Sequence, residues 1–183
     1  MPSSPASSLA PLERIVLTGF MGSGKTTVGP LVAARLDWRF IDVDDVIEAE
    51  AGCSITEIFA RSGESAFRDR EHAIIGRLAG EAGLVLALGG GAFERAETRD
   101  LLLSVPGTLV VHLEVRLATT LTRCRGTEST RPVLADHAKL AARYERRLPL
   151  YRTAHVSLSV DELSPPEVAD AILESGKRSQ KAG

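Results

Sequence analysis

The chain is expected to fold as an α/β domain, a parallel sheet with helices packed on both faces. Three observations predict it. Short apolar runs rich in Val, Ile and Leu alternate with stretches of helical spacing, and that alternation calls for parallel strands joined by right-handed crossovers. A glycine-rich octapeptide, Gly19–Phe–Met–Gly–Ser–Gly–Lys–Thr26, stands between the first strand-like run and the first helical stretch. The chemically distinctive residues gather where predicted strands end, the place where open α/β sheets bind ligands.

Taken in order, Arg14–Ile–Val–Leu–Thr18 is short and β-branched and reads as a buried strand. After the glycine loop, Val28, Leu31, Val32 and Leu36 recur at helical spacing. Pro30 falls in the first turn or two of that helix, where a lost N–H costs least. Residues 38–43 form a second short strand leading into Asp42 and Asp44, and Asp45–Glu50 reads as helix closed near Gly52. Ser54–Ile–Thr–Glu57 is a capping box. Gly63 precedes a longer helix, Glu64 to about Ala79, with Phe67, Ile74, Ile75 and Leu78 inward. Leu84–Leu88 is a continuous apolar run, hence a buried strand, and it stops at Gly89–Gly–Gly91. Residues 94–103 are helical, 108–113 form another buried strand, and 117–123 another helix. Residues 125–136 are polar and turn-prone, as a mobile lid would be. A helix from His137 to Arg147 is expected to stop ahead of Pro149. Residues 155–160 alternate as an outer strand does, and Pro165–Pro–Glu–Val opens the last helix.

The 183 residues suit one domain with a single core. We expect it to span residues 13–175, between a floppy leader, 1–12, and a disordered tail, 176–183. The leader lacks the basic start and apolar stretch of a secretory signal. Net charge is −2, which offers no case for a nucleic-acid or membrane-surface partner. No apolar run is long enough to span a bilayer. Cys53 and Cys124 are too few for a disulfide framework and sit in no metal-ligand spacing, so a reducing cytoplasm is the expected setting.

The octapeptide fits Gly, four residues, Gly–Lys–Thr, the phosphate-binding loop. Glycines at 19, 22 and 24 let backbone N–H groups approach phosphate and form an anion nest. Lys25 adds a mobile charge for the outer phosphates, Thr26 a hydroxyl for magnesium, and the following helix its dipole. The glycine order does not fit the dinucleotide fingerprint.

Asp42 and Asp44, two apart on a strand, would face one site beside that loop. One carboxylate can help hold hydrated magnesium and the other can orient or deprotonate a hydroxyl. The bland alternative is that Asp44 or Asp45 caps the next helix, and Asp45 is assigned that role. Three consecutive glycines cost chain entropy unless bare backbone is needed, and close approach of a substrate is the functional reading. Arg68, between Glu64 and Glu71, fits a surface ion-pair ladder equally well, and pattern alone does not choose it over Arg70. Arg146 and Arg147 can merely complement a helix dipole. Arg131, in a polar loop, is the better candidate to neutralise charge on a transferring phosphoryl group. His72, His112, His137 and His155 form no ligand set and read as structural or surface residues.

From about residue 13 to 175 the chain resembles the shikimate kinase family. The likeness rests on separate motifs in the right order: Gly19–Thr26, Phe40–Ile–Asp–Val–Asp44, Gly63–Glu–Ser–Ala–Phe–Arg68 with Glu71, Leu88–Gly91, Thr130–Arg–Pro132 and Arg146–Arg–Leu–Pro–Leu–Tyr151. It implies the P-loop NTPase fold of the nucleoside monophosphate kinases, with a central five-stranded parallel sheet. It implies transfer of the γ-phosphoryl group of ATP to the 3-hydroxyl of shikimate, in aromatic amino-acid biosynthesis, by a monomer. By the same resemblance Gly22, Ser23, Gly24, Lys25, Thr26 and Thr27 bind ATP, and Thr26 and Asp42 serve magnesium. Asp44 resembles the residue that binds the shikimate hydroxyls and is a candidate base. Arg68 and Arg147 resemble the pair that grips the substrate carboxylate, Gly90 and Gly91 the backbone beside its ring, and Arg131 the lid arginine on ATP. Two guanidinium forks are a natural clamp for a carboxylate.

Departures exist. The family's arginine near adenine after the last strand is missing from Asp161–Glu–Leu–Ser–Pro, and Arg123 and Arg125 compete for the other adenine-side position. The alternatives are a kinase of another small hydroxy acid such as gluconate, or a non-catalytic nucleotide-binding module. A nucleoside monophosphate acceptor is disfavoured, because aromatics are only 4%.

Overall fold

The computed structural model describes residues 11–125 and 136–181. Arg131 and nearly all of the expected lid lie outside the described residues, as do most of the leader and the last two residues of the tail.

Five strands, β1 (Arg14–Thr18), β2 (Arg39–Asp42), β3 (Leu84–Ala87), β4 (Thr108–Glu114) and β5 (Val156–Ser159), form one sheet in the order β2-β3-β1-β4-β5. Every pairing is parallel. Around it pack α1 (Lys25–Leu36), α2 (Val43–Ala51), α3 (Ile55–Leu78), α4 (Ala96–Ser104), α5 (Leu117–Arg123), α6 (His137–Tyr151) and α7 (Pro165–Lys181).

The central strands are buried on both faces, so their sequences are continuous apolar runs. Alternation still divides them. Val16, Leu84, Leu86 and Val110 point into a core shared with Ile47, Phe67, Ile75 and Tyr151. Ile15, Leu17, Val85 and Val111 point into a second core with Val28, Val32 and Ile172. At the edge, β5 alternates half-buried with exposed residues, as its pattern predicts.

Four expectations need correction. The second strand ends at Asp42, not beyond it, and α2 begins at Val43. Asp42 is the N-cap, its carboxylate accepting from the Asp44 backbone N–H at 3.0 Å, so Asp45 does not cap. α6 does not stop ahead of Pro149 but runs through it to Tyr151. A proline inside a helix costs about 3 kcal/mol. Burial of Tyr151, stacked on His112 with centroids 5.2 Å apart, favours the extra turn. Finally, α7 continues to Lys181, through the start of the expected disordered tail. Gly176 packs against Leu12 and Leu109 there, which ties that turn to the second core.

The connection leaving β1 runs past β3 to β2, whereas the one leaving β4 runs the opposite way to β5. Loops at neighbouring strand ends therefore diverge and leave a crevice at their carboxyl ends.

Candidate active site

That crevice is a cleft of about 910 Å³, lined by the glycine loop, Asp42, Asp44, Arg68, the triple glycine and Arg147. Of the sequence-predicted residues, it brings together all except Arg131, which is outside the described residues.

The donor end is built by the loop between β1 and α1. Gly19, Gly22 and Gly24 have φ of 145°, 73° and 93°, left-handed values that favour glycine. A Cβ on Gly19 would also lie 2.6 Å from the Leu113 carbonyl oxygen of β4. Neighbouring β4 and α5 support the loop, with Thr120 Oγ1 donating to the Met21 carbonyl at 3.1 Å. Lys25 Nζ donates to the carbonyls of Gly19 (2.8 Å) and Phe20 (3.2 Å) and to Ser23 Oγ (3.3 Å), which centres its charge over the loop. Ser23 is buried, while Thr26 and Thr27 stand exposed on the first turn of α1.

Thr26 lies close enough to Asp42 for its hydroxyl to favour the ionised carboxylate. Burial raises the Asp42 carboxyl above its usual range, and the Asp44 N–H, Lys25 and Thr26 oppose that shift. One hydroxyl and one carboxylate beside a phosphate loop suit magnesium, which prefers few protein oxygens and keeps waters and phosphate oxygens as its other ligands. Among the described residues no cluster of three His, Cys, Asp or Glu side chains could hold a metal.

The acceptor end is built where β2 and β3 stop. Asp44 lies against Gly89: a Cβ there would sit 2.7 Å from Asp44 Oδ1 and 3.0 Å from Glu71 Oε1. Burial and the neighbouring Asp42 push Asp44 up to about 6, against the pull of Lys25 and Arg68. Arg68 Nη1 donates to Glu71 at 2.6 Å, with Glu64 at 3.5 Å. Its fork lies where a side chain on Gly91 would be. Arg147, 6% exposed, pairs through Nε with Glu94, which Arg146 also reaches at 3.0 Å. Gly90 is bracketed by Arg147 Nη1 and Tyr151, whose hydroxyl donates to the Gly90 carbonyl. The triple glycine is thus explained by two arginine forks and a carboxylate packed against bare backbone.

Sequence reasoning missed Glu71, Glu94 and Tyr151 as parts of the site. Glu71 is 2% exposed, and burial pushes it up to about 7 although Arg68 opposes the rise. Its Oε1 has no hydrogen-bond partner among the described residues. The available signal was its place three residues after Arg68, on the same helix face. Glu94 and Tyr151 join the site only through tertiary contact. The cleft also separates Arg123 from Arg125. Arg123 lines it and donates to the carbonyls of Gly22 and Val160, each at 3.2 Å, whereas Arg125 is exposed and outside. The shelf near the 161–166 loop is apolar, formed by Val160, Leu163, Pro165 and Val168. His112 is buried between Ser157 and Tyr151, and burial holds it neutral with its pKa lowered to about 4.

A polyphosphate fits one end of this cleft and a small acid the other, with a carboxylate between them. This division of labour defines a P-loop kinase acting on a small molecule. The family model of shikimate kinase matches residues 21–177. A shikimate kinase of Cupriavidus pinatubonensis is 45% identical, over 90% of this chain and 79% of its own length. That of Persephonella marina is 38% identical over 88% and 98%. Among solved structures, shikimate kinase from Acinetobacter baumannii in complex with shikimate superposes with a TM-score of 0.84 at 35% identity, covering 93% of this chain and 96% of that one. The chain belongs to the shikimate kinase family.

Proposed function

We infer that the chain transfers the γ-phosphoryl group of ATP to the 3-hydroxyl of shikimate. The observation that carries this reading is the pair Arg68 and Arg147 converging on Gly90 and Gly91, with Asp44 between that pair and the phosphate loop. A small carboxylic acid held by the two forks would turn a hydroxyl towards Asp44.

In the proposed reaction the acceptor oxygen forms a bond to the γ-phosphorus, and the bond from that phosphorus to the β–γ bridging oxygen breaks. The hydroxyl proton passes to Asp44, and the electron pair of the broken bond stays on ADP. Lys25 spreads the negative charge of the transferring group, and Arg131 is assigned the same role. Backbone N–H groups of Gly22, Ser23 and Gly24, with Thr26 and Thr27 at the start of α1, cradle the phosphates. Thr26 and Asp42 would hold magnesium, which when bound would neutralise charge on the phosphates. Catalysis is chiefly positioning and electrostatics. Arg123 and the apolar shelf beside it are assigned to adenine. We place the enzyme in the cytoplasm as a monomer; no described helix is long and apolar enough to cross a membrane.

The test is ADP release with shikimate, gluconate and nucleoside monophosphates, with and without a chelator. Shikimate alone should support turnover, and magnesium should restore what chelation removes. A preference for gluconate, or nucleotide binding without turnover, would refute the assignment. Asp44→Asn should reduce kcat at least about a hundredfold, the lower end of what a general base contributes, and leave ATP binding intact. Wild-type kcat in that variant rules Asp44 out.

A further inference from the structure

The acceptor lobe holds one more cation than the clamp needs. Arg143 lies four residues before Arg147 on α6, hence on the same helix face, and lines the same cleft. The other arginines of the lobe have carboxylates: Arg68 has Glu71 and Glu64, while Arg146 and Arg147 share Glu94. Arg143 is half-buried and has no ion pair or hydrogen bond among the described residues. Burial, then Arg147 and Arg146, hold its pKa below the usual arginine value, against Glu94 and Glu64. Among the described residues no carboxylate pairs directly with this guanidinium, and an anion entering the cleft supplies such a partner.

We propose that Arg143 is a specificity-determining residue that draws in and binds the anionic group of the acceptor, one helical turn outside Arg147. This rests on the reading of the acceptor as shikimate. The lobe then has two tiers: Arg68 and Arg147, buttressed by their own glutamates, fix the geometry, and Arg143 adds net attraction. Attraction by a partly exposed charge reaches the acceptor before it docks and is screened by salt.

The experiment is steady-state kinetics on the full chain with ATP and shikimate, at about 0.05 and 0.5 M salt, ionic strengths between which screening changes strongly. Two neutral variants are used: Arg143→Gln, and Arg143→Met, which keeps the apolar stem. Both should raise KM for shikimate about tenfold at low salt, the range of one hydrogen bond to a charged group, and leave kcat and the KM for ATP within about twofold. Both should also flatten the fall of kcat/KM with salt, a readout that a purely structural role would not move. Arg143→Lys should retain the wild-type salt slope. An unchanged KM for shikimate in either neutral variant overturns the proposal, as does an equal rise in both KM values or an unaltered salt slope. A wild-type protein that does not phosphorylate shikimate overturns the functional reading and takes this inference with it. An active wild type with indistinguishable variants overturns this inference alone.

Discussion

Gly91→Ala isolates the contact between the triple glycine and Arg68. Gly91 has φ −99° and ψ −10°, which alanine adopts without strain. Any effect therefore comes from the methyl group. That methyl would lie 2.6 Å from Arg68 Cζ and closer still to its Nη2, so the fork must withdraw by more than about 1 Å to reach ordinary contact. Withdrawal strains its 2.6 Å bond to Glu71 and moves one jaw of the clamp. A hydrogen bond to a charged group contributes about 1.5–3 kcal/mol, and misplacement by about 1 Å can cost a hundredfold in rate. We expect kcat/KM for shikimate to fall between about ten- and a hundredfold. The KM for ATP should stay within about twofold, because the phosphate loop is untouched. Stability should fall by no more than that bond contributes, since the group that must move is the end of a flexible side chain. Gly90→Ala is the control. Its Cβ would sit 3.4 Å from Arg147 Nη1 and 3.7 Å from the Tyr151 hydroxyl, close to ordinary contact, and kcat/KM should stay within about threefold. Equal effects of the two substitutions, or wild-type kinetics in Gly91→Ala, would refute the packing argument.

Two further predictions concern stability. The Glu71 carboxyl is pushed up to about 7 from an ordinary 4.5, so the folded state holds its proton where the unfolded chain has released it. The stability this contributes is fully present below pH 4.5 and is lost as pH rises through about 7, a swing on the order of 3 kcal/mol. Glu71→Gln should match the wild type near pH 4.5, flatten the dependence, and melt several degrees higher at pH 8; an unchanged pH slope of the melting temperature would count against it. Gly29→Ala should destabilise although alanine is the better helix former. Its Cβ would lie 2.6 Å from Phe40 Cδ2, and overpacking of about 1–3 kcal/mol outweighs a propensity gain of about 1. Calorimetry showing a higher melting temperature in Gly29→Ala would reverse that ranking.

The fold was legible because each central strand is a continuous apolar run and each helix carries its own punctuation. The Ser54–Glu57 capping box forms as expected, with both reciprocal bonds present. The phosphate loop was legible because its chemistry is local. The acceptor lobe was legible only in part: Asp44 and the three glycines stood out by pattern, but the arginine clamp did not, apart from the family resemblance. Arg68 beside Glu64 and Glu71 looks like an exposed ladder in sequence, and only the tertiary structure buries Glu71 and aims the fork at Gly91. Asp42 and Asp44 were expected together on a strand. They do meet at one site, but a helix N-cap brings them there, a distinction that turns on where a four-residue strand stops.

Pro149 shows why such a boundary escapes local reasoning. In sequence it ends a helix; in the structure the helix passes through it. The extra turn places Tyr151 under the triple glycine, where its hydroxyl holds the Gly90 carbonyl and its ring lies on His112. Burial raises the Tyr151 hydroxyl to about 12, so it stays protonated and remains a donor at any physiological pH. The same helix carries Arg147 one turn earlier. One rigid element therefore fixes a carboxylate-binding fork and the backbone beside it. A helix ending at Arg147 would leave Gly90 without that tether, and the fork and the backbone it faces would no longer share a support.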